Sequence, residues 1–224
     1  MVDIAGAIKK PFDDLKTAGI GIILGLIPLV NLLVVGYGVN VARRTVAKDN
    51  KLPAWSFDSL LQYLKDAIFA IIIYIIYMIP AGIAFAIGLG LAIGTLLPAI
   101  LSGNTGAIVG GIAGAFAAGG VFALLAGLLV VIGEVMASIG IIFYAKENSL
   151  GAAFNFGAII KKILTAQYII AIIVLVVYWI VLGIIATVLS IIPVVGSLLG
   201  VGLAVYAATV TGMTLFAQVF NETP

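Results

Sequence analysis

The fold is decided by a stretch of 67 residues without a charged side chain, residues 67–133: AIFAIIIYIIYMIPAGIAFAIGLGLAIGTLLPAILSGNTGAIVGGIAGAFAAGGVFALLAGLLVVIG. Two further uncharged stretches occupy residues 17–42 and 163–221. Each is longer than the ~20 apolar residues with which a helix crosses the ~30 Å hydrocarbon core of a bilayer. The sequence therefore predicts an all-α integral membrane protein.

The composition of the whole chain agrees with this prediction. Of its 224 residues, 64% are apolar and 9% are charged, and the mean hydropathy is +1.34. Soluble domains contain about 25% charged residues, and one of this size hides only about 70% of its surface. A water-soluble protein with this composition would leave much of its apolar surface in water.

The composition also excludes several functions. The chain has no cysteine and no histidine, which excludes disulfides, Cys or His zinc sites and catalysis by a nucleophile with a histidine base. A search for other catalytic motifs finds none, so we expect no enzymatic activity, no metal ion and no cofactor. The net charge of +2 gives no general attraction to nucleic acid.

Charged segments and proline motifs indicate an internal repeat. AKDNKL at residues 47–52 aligns with AKENSL at 145–150, and IPLVNLL at 27–33 corresponds to IPVVGSLL at 192–199. We interpret the chain as one transmembrane domain, residues 1–224, made of helical hairpin repeats. The three pseudo-repeats are residues 1–47, 48–145 and 146–224.

Each repeat is predicted to contain an amphipathic helix in the membrane interface, followed by a hairpin that returns to the starting side. The amphipathic helices are expected at residues 4–16, 55–66 and 154–165. The hairpin turns are expected at Pro28, at residues 102–106 and at residues 193–197.

The basic residues fix the predicted orientation. All 11 lie on the side to which the hairpins return: Lys9, Lys10, Lys16, Arg43, Arg44, Lys48, Lys51, Lys65, Lys146, Lys161 and Lys162. Cytoplasmic loops of membrane proteins carry an excess of lysine and arginine. We therefore expect this side, with both termini, to be cytoplasmic.

The first hairpin is too short to cross the membrane twice. A helix from Lys16 to Pro28 covers ~18 Å, and one from Pro28 to Arg43 covers ~22 Å. We predict a re-entrant hairpin that turns at Pro28 and Asn31. Since backbone inside a bilayer must be covered by protein, other helices should pack around Pro28. The alternative is a single span of 26 residues with an external N-terminus.

Glu134 is the one ionisable residue inside a spanning segment. It precedes Lys146 by ~18 Å of helix, which places it near the middle of the membrane. An acidic residue there costs ~2.5–3.5 kcal/mol on insertion scales. Glu134 is either a protonated carboxyl bonded to a neighbour such as Ser138 or Asn31, or a site for a proton or cation.

Two ladders of small residues at four-residue spacing let helix backbones approach closely. They consist of Gly82, Ala86, Gly90 and Gly94, and of Gly106, Gly110, Gly114 and Ala118. The ladders either pack on each other within one hairpin or make subunit contacts. Because residues 106–120 present small side chains on nearly the whole circumference of a helix, we expect a homo-oligomer.

Other polar and aromatic residues receive simpler interpretations. Asp58 and Asp66 are interpreted as solvated carboxylates at the interface. The aromatic residues beside the charged segments are interpreted as interfacial anchors: Tyr37, Trp55, Tyr63, Tyr144 and Tyr168.

Residues 36–58 carry a motif of paired residues: Gly36-Tyr37, Arg43-Arg44 and Leu52-Pro53, followed by Trp55, Phe57 and Asp58. This segment resembles a family of multi-pass membrane proteins of unknown function that is found widely in archaea. The resemblance implies an archaeal source and a location in the plasma membrane. It implies no substrate and no active site.

Three functions are compatible with these patterns. The first is a non-enzymatic protein that self-associates through small-residue helix faces and organises or shapes the membrane, with lipids and further copies as its partners. The second is a channel or carrier with Glu134 as its proton or cation site. The third is a membrane subunit that binds a soluble partner, of unknown identity, through its cytoplasmic amphipathic helices.

Overall fold

The computed structural model describes residues 2–223, which are mostly helical and contain no strand. This confirms the predicted all-α class. The α-helices are α1 (Ile4–Lys9), α2 (Leu15–Leu26), α3 (Leu32–Val46), α4 (Phe57–Leu101), α5 (Thr105–Glu147), α6 (Phe156–Ile163), α7 (Ala166–Leu189) and α8 (Val195–Glu222). Short 3-10 helices occupy Lys10–Phe12 and Leu150–Phe154.

Within residues 2–223, four helices are long and apolar enough to cross a membrane: α4, α5, α7 and α8. The 24 residues of α7 cover about 36 Å, close to the ~30 Å of a hydrocarbon core. The 45 residues of α4 cover about 68 Å, and the 43 residues of α5 about 65 Å. Tilt or a thickened bilayer must accommodate part of these two long helices.

The helix breaks fall near the three expected turns. Residues 27–31 separate α2 from α3, residues 102–104 separate α4 from α5, and residues 190–194 separate α7 from α8. The alternative, a single span over residues 17–42, requires one continuous helix. The structure does not contain it, because α2 ends at Leu26. Leu29 and Val194, which follow the two aligned prolines, both have a positive φ, 70° and 63°.

The three predicted amphipathic helices differ from one another in the structure. The first is divided into α1 and the 3-10 helix that follows it. The second, expected to end at residue 66, continues without a break into α4, because no helix-terminating residue separates the charged segment from the apolar one. Only the third is a separate helix, α6, since the Thr165 side chain caps α7 by accepting a hydrogen bond from the Tyr168 N–H.

The chain divides into two compact units. The first unit contains the residues up to 73 together with those from 138 onward, and α8 lies at its centre, against α7, α3 and α2. Close approach of α8 to α2 depends on glycine, since a Cβ on Gly25 would lie 3.1 Å from the Gly202 carbonyl oxygen. A Cβ on Gly21 would lie 2.3 Å from the ring of Tyr206.

The aromatic residues of this unit lie in its core. Tyr37, Tyr63, Tyr144 and Tyr168 are at most 3% exposed, so their interpretation as interfacial anchors is wrong. Tyr37 stacks on Trp55 with 4.3 Å between ring centroids, and Tyr63 meets both rings edge-on. Burial of these large rings stabilises the short α2–α3 hairpin.

The turn of the α2–α3 hairpin is exposed. Pro28 and Leu29 have no covering helix among the described residues, so the prediction that other helices pack around Pro28 is wrong. The reason is that α8 packs along the sides of α2 and α3 and leaves the tip free. Asn31 precedes α3, and its side chain makes no capping hydrogen bond.

Candidate functional site

Glu134 and Tyr74 form a polar pair in the second compact unit, residues 74–137, which contains the apolar parts of α4 and α5. The Tyr74 hydroxyl donates a hydrogen bond to the Glu134 Oε1 atom over 2.5 Å. Both side chains are exposed, and large apolar side chains such as Ile75 and Val131 surround them in sequence and are exposed as well. A carboxyl group thus lies on a surface that is otherwise suited to lipid.

The partner of Glu134 differs from the two that were suggested by the sequence. The Ser138 hydroxyl is hydrogen-bonded over 2.6 Å to the hydroxyl of Tyr168, which belongs to the first unit like Ser138 itself. Tyr74 was not identified, although it is a polar side chain in a run of isoleucines. A phenol offers one O–H donor, so it can satisfy one oxygen of a carboxyl and leave the other available.

The glycines of the two predicted ladders face mostly open space. A Cβ added to Gly82, Gly90, Gly94 or Gly110 would have nothing within 4 Å. A Cβ on Gly114 would touch Thr95 at 3.6 Å, and one on Gly106 would approach the Asn104 Oδ1 atom at 3.2 Å. Ala86 is exposed and Ala118 is half-buried.

A neighbouring set of small residues joins α4 and α5. A Cβ on Gly88 would lie 2.6 Å from the Phe122 Cβ, and one on Gly111 would lie 2.4 Å from the Ala99 Cβ. Gly119 faces Ala92 at 3.1 Å. These small residues hold α4 and α5 together. The contact does not use the ladder face of α4 with Gly82, Gly90 and Gly94, which therefore stays open to another contact.

A buried polar cluster centred on Asp66 was missed by the sequence analysis. The Asp66 side chain is fully buried, so its interpretation as a solvated carboxylate is wrong. It accepts hydrogen bonds from Arg43 at 3.0 and 3.2 Å, from Asn40 at 2.8 Å, from Gln62 at 2.9 Å and from the Tyr144 hydroxyl at 2.6 Å. Helices α3, α4 and α5 meet at this carboxylate.

Arg43 holds this cluster together. Its guanidinium pairs with both oxygens of Asp66, donates through Nη1 to the Asn40 Oδ1 atom at 2.7 Å, and donates through Nε to the Ala145 carbonyl at 3.1 Å. The sequence spacing indicates part of this cluster. Asn40 and Arg43 share one helix face, and Gln62 and Asp66 share another. What the sequence lacked was the information that these two faces meet.

The cluster is suited to joining helices and poorly suited to binding a ligand. Five donor groups saturate the two oxygens of Asp66, and a carboxylate has about four lone-pair positions. Among the described residues, no group of three acidic, histidine or cysteine side chains could hold a metal ion. In the apolar part of the α4–α5 hairpin, Glu134 and Tyr74 contribute exposed polar atoms.

Comparison with known families gives one match. A family of proteins of unknown function, DUF4013, matches residues 20–194 of this chain. The chain belongs to the DUF4013 family. No curated protein and no solved structure matches it.

The DUF4013 match covers the main features described above. It includes most of the α2–α3 hairpin, the Arg43–Asp66 cluster, the Glu134–Tyr74 pair and both ladders. It ends just before α8, which begins at Val195. Membership agrees with the resemblance to a family of unknown function, while the archaeal source that it implied stays a prediction.

Proposed function

We propose that this DUF4013 protein is a non-enzymatic multi-pass membrane protein that self-associates through the small-residue faces of the α4–α5 hairpin and organises or shapes the membrane. The observation that carries the proposal is the open glycine face of α4. Gly82, Gly90 and Gly94 have no neighbour within 4 Å of a Cβ position. Such a face allows a second helix backbone to approach closely.

The Glu134–Tyr74 pair supports association. Polar groups exposed to hydrocarbon are costly, and interhelical hydrogen bonds between membrane helices reduce that cost. A second copy that packs on the hairpin removes Glu134 from lipid and offers it a further hydrogen bond. In this arrangement the contact at the carboxyl is added to the contact made by the glycine face.

The proposed effect on the membrane depends on the short hairpin and the interfacial helices. We place the α2–α3 hairpin as a re-entrant element that enters from the cytoplasmic side of the plasma membrane, where the basic residues and both termini lie. Neither helix reaches the length of a span, at 12 and 15 residues. Bulk added to one leaflet favours curvature.

The glycine face can be tested by substituting leucine at Gly90 and Gly94 together. If the wild-type protein forms oligomers in lipid nanodiscs, we expect the double variant to associate about ten- to a hundredfold more weakly, because overpacking of a contact costs about 1–3 kcal/mol. Single-molecule photobleaching of labelled protein in vesicles measures the subunit number and its dependence on protein density.

Gly183→Leu is the matched control for this experiment. Gly183 lies in α7, is exposed, and has nothing within 4 Å of its Cβ position. It should leave association unchanged and should retain any tubes or rings that the wild-type protein forms in liposomes. A wild-type protein that is monomeric at all densities and leaves vesicles unaltered would refute the proposal.

A second candidate function is supported by the free oxygen of Glu134. In this function the protein is a channel or carrier, and the carboxyl binds a proton or cation in passage. Glu134→Gln should then abolish proton or cation flux into liposomes, whereas Glu147→Gln, at the end of α5, should leave flux unchanged. Equal flux through both variants would remove this candidate.

A further inference from the structure

Three lysines line one cleft in the first compact unit. The cleft has a volume of about 780 Å³ and is lined by the ends of α3, α5 and α8 and by α6. Lys146, Lys161 and Lys162 all line it, and no acidic residue does among the described part of the chain. Glu147 and Glu222 are next to lining residues in sequence but are not themselves part of the lining.

Lys162 is buried and held in place. Its ammonium donates to the carbonyl oxygens of Phe220 and Thr223 at 3.0 Å each and to the Thr223 hydroxyl at 3.3 Å. It also lies 4.1 Å from the centroid of the Phe220 ring. Burial lowers the pKa of Lys162, and the positive charge of Lys146 lowers it further. Both effects oppose its charge, and the three hydrogen bonds to oxygen atoms hold the Lys162 ammonium at this position.

The other two lysines are available to a ligand. Lys146 and Lys161 are exposed, and neither ammonium is within salt-bridge distance of a carboxylate in the described residues. Lys146 lies 5.3 Å from the centroid of the same Phe220 ring, so its ammonium is held near that of Lys162. Three like charges at one cleft repel one another, and an anion between them removes this repulsion.

The cleft also exposes backbone at the first turn of α6. Gly157 and Ala158 belong to its lining, and a Cβ on Gly157 would have only the Asn155 Oδ1 atom near it, at 4.0 Å. The N-terminus of a helix carries a partial positive charge. This partial charge adds to the positive potential that the lysines create in the cleft.

Helix α6 is placed to lie at a membrane surface. Phe156, Ile160 and Leu164 follow one another at four-residue spacing and are about half-exposed or more, while Ile159 and Lys162 of the same segment are buried against the protein. An apolar stripe beside lysines is typical of helices that lie in the interface of a membrane. Because α6 also lines the cleft, this placement of α6 brings the cleft to the depth of the lipid headgroups.

We propose that this cleft binds a phosphate group, which Lys146 and Lys161 contact directly and whose charge the fixed ammonium of Lys162 balances. The phosphate group belongs either to the headgroup of an anionic lipid or to a soluble phosphate. The site is separate from the glycine face of α4 and does not depend on self-association.

The experiment uses the full chain and the double variant Lys146→Gln with Lys161→Gln. Binding of phosphatidylglycerol is measured by native mass spectrometry of protein released from mixed phosphatidylglycerol and phosphatidylcholine nanodiscs. Binding of inorganic phosphate is measured by calorimetry in phosphatidylcholine nanodiscs. Loss of two ammonium groups near a membrane surface should weaken binding about thirtyfold. Both lysines are exposed, so an unchanged melting temperature should show that the variant folds.

Lys48→Gln with Lys51→Gln is the matched control, because it removes the same charge from exposed positions outside the cleft. It should weaken binding less than threefold. Loss of phosphatidylglycerol binding alone in the cleft variant supports the lipid headgroup, and loss of inorganic phosphate binding supports the soluble anion. Equal weakening in both double variants, or no binding of either probe by the wild-type protein, would overturn the proposal.

Discussion

Replacement of Arg43 by methionine is expected to lower the free energy of unfolding by about 3–5 kcal/mol, because it leaves the buried Asp66 carboxylate without its cation. Methionine keeps an unbranched stem of similar length, so the loss arises mainly from the guanidinium. Arg43 is the group that pairs with both oxygens of Asp66 and with the Ala145 carbonyl. Chemical unfolding in mild detergent, followed by tryptophan fluorescence, measures the change.

Arg44→Met is the matched control at the next position. Arg44 pairs with Asp49 over 3.5 Å, and the two side chains are 41% and 44% exposed. Exposed ion pairs contribute about 0–1 kcal/mol, so this variant should unfold almost like the wild-type protein. If the two arginine variants were equally stable, the buried cluster would not have the importance assigned to it.

A second substitution tests the cause of the loss. Asp66→Asn added to Arg43→Met removes the uncompensated negative charge and keeps a side chain that can bond Gln62 and Tyr144. The double variant should therefore be more stable than Arg43→Met alone, which is the non-additivity expected for residues in direct contact. A double variant less stable than Arg43→Met would show that charge is not the reason.

The charge-free stretches predicted the main helices, and the two proline motifs with residues 102–106 predicted where the helices break. No solvated charge interrupts the apolar runs, so each run continues as helix until a turn such as residues 102–104 or residues 190–194 ends it. Asp66, by contrast, stands at the edge of a charged segment, and only its pairing with Arg43, 23 positions earlier, decides that it is buried.

The two glycine ladders show a similar limit. Small residues occupy several adjacent faces of α4, so four-residue spacing identifies the faces and not which of them meets α5. The hairpin contact uses Gly88 and Ala99, while Gly90 and Gly94 are left open. Which face of α4 contacts α5 depends on where the side chains of Phe122 and Thr95 fit between the two helices. That fit is determined only when the two helices pack.

The aromatic residues were misplaced for a related reason. Tyrosine and tryptophan beside charged segments are typical of interfacial anchors, and sequence position alone favours that interpretation. In the structure the short α2–α3 hairpin brings Tyr37 against Trp55 and Tyr63. Residues that are adjacent to charge in sequence thereby become the core of the first unit.

Gly36→Ala is expected to be the most damaging substitution of a single methyl group in this core. A Cβ at Gly36 would lie 1.7 Å from the carbonyl oxygen of Tyr63, and that oxygen belongs to the backbone near the start of α4. Helix α3 would have to move away from α4, which separates Tyr37 from Tyr63 and also disturbs Asn40, whose amide donates both to the Gly36 carbonyl and to Asp66. Overpacking in a core costs about 1–3 kcal/mol, and a clash with backbone places this variant near 3 kcal/mol.

Gly19→Ala is the control that should change stability in the opposite direction. Gly19 lies inside α2, and a Cβ there has nothing within 4 Å. Alanine stabilises an open helix position by about 0.5–1 kcal/mol relative to glycine. The near-ultraviolet circular dichroism of Trp55, which stacks on Tyr37, should weaken in Gly36→Ala and persist in Gly19→Ala. If both variants gained stability, the close contact of α3 with the start of α4 would be wrong. The Gly36-Tyr37 motif would then not lie at the helix contact that supports the Asp66 cluster.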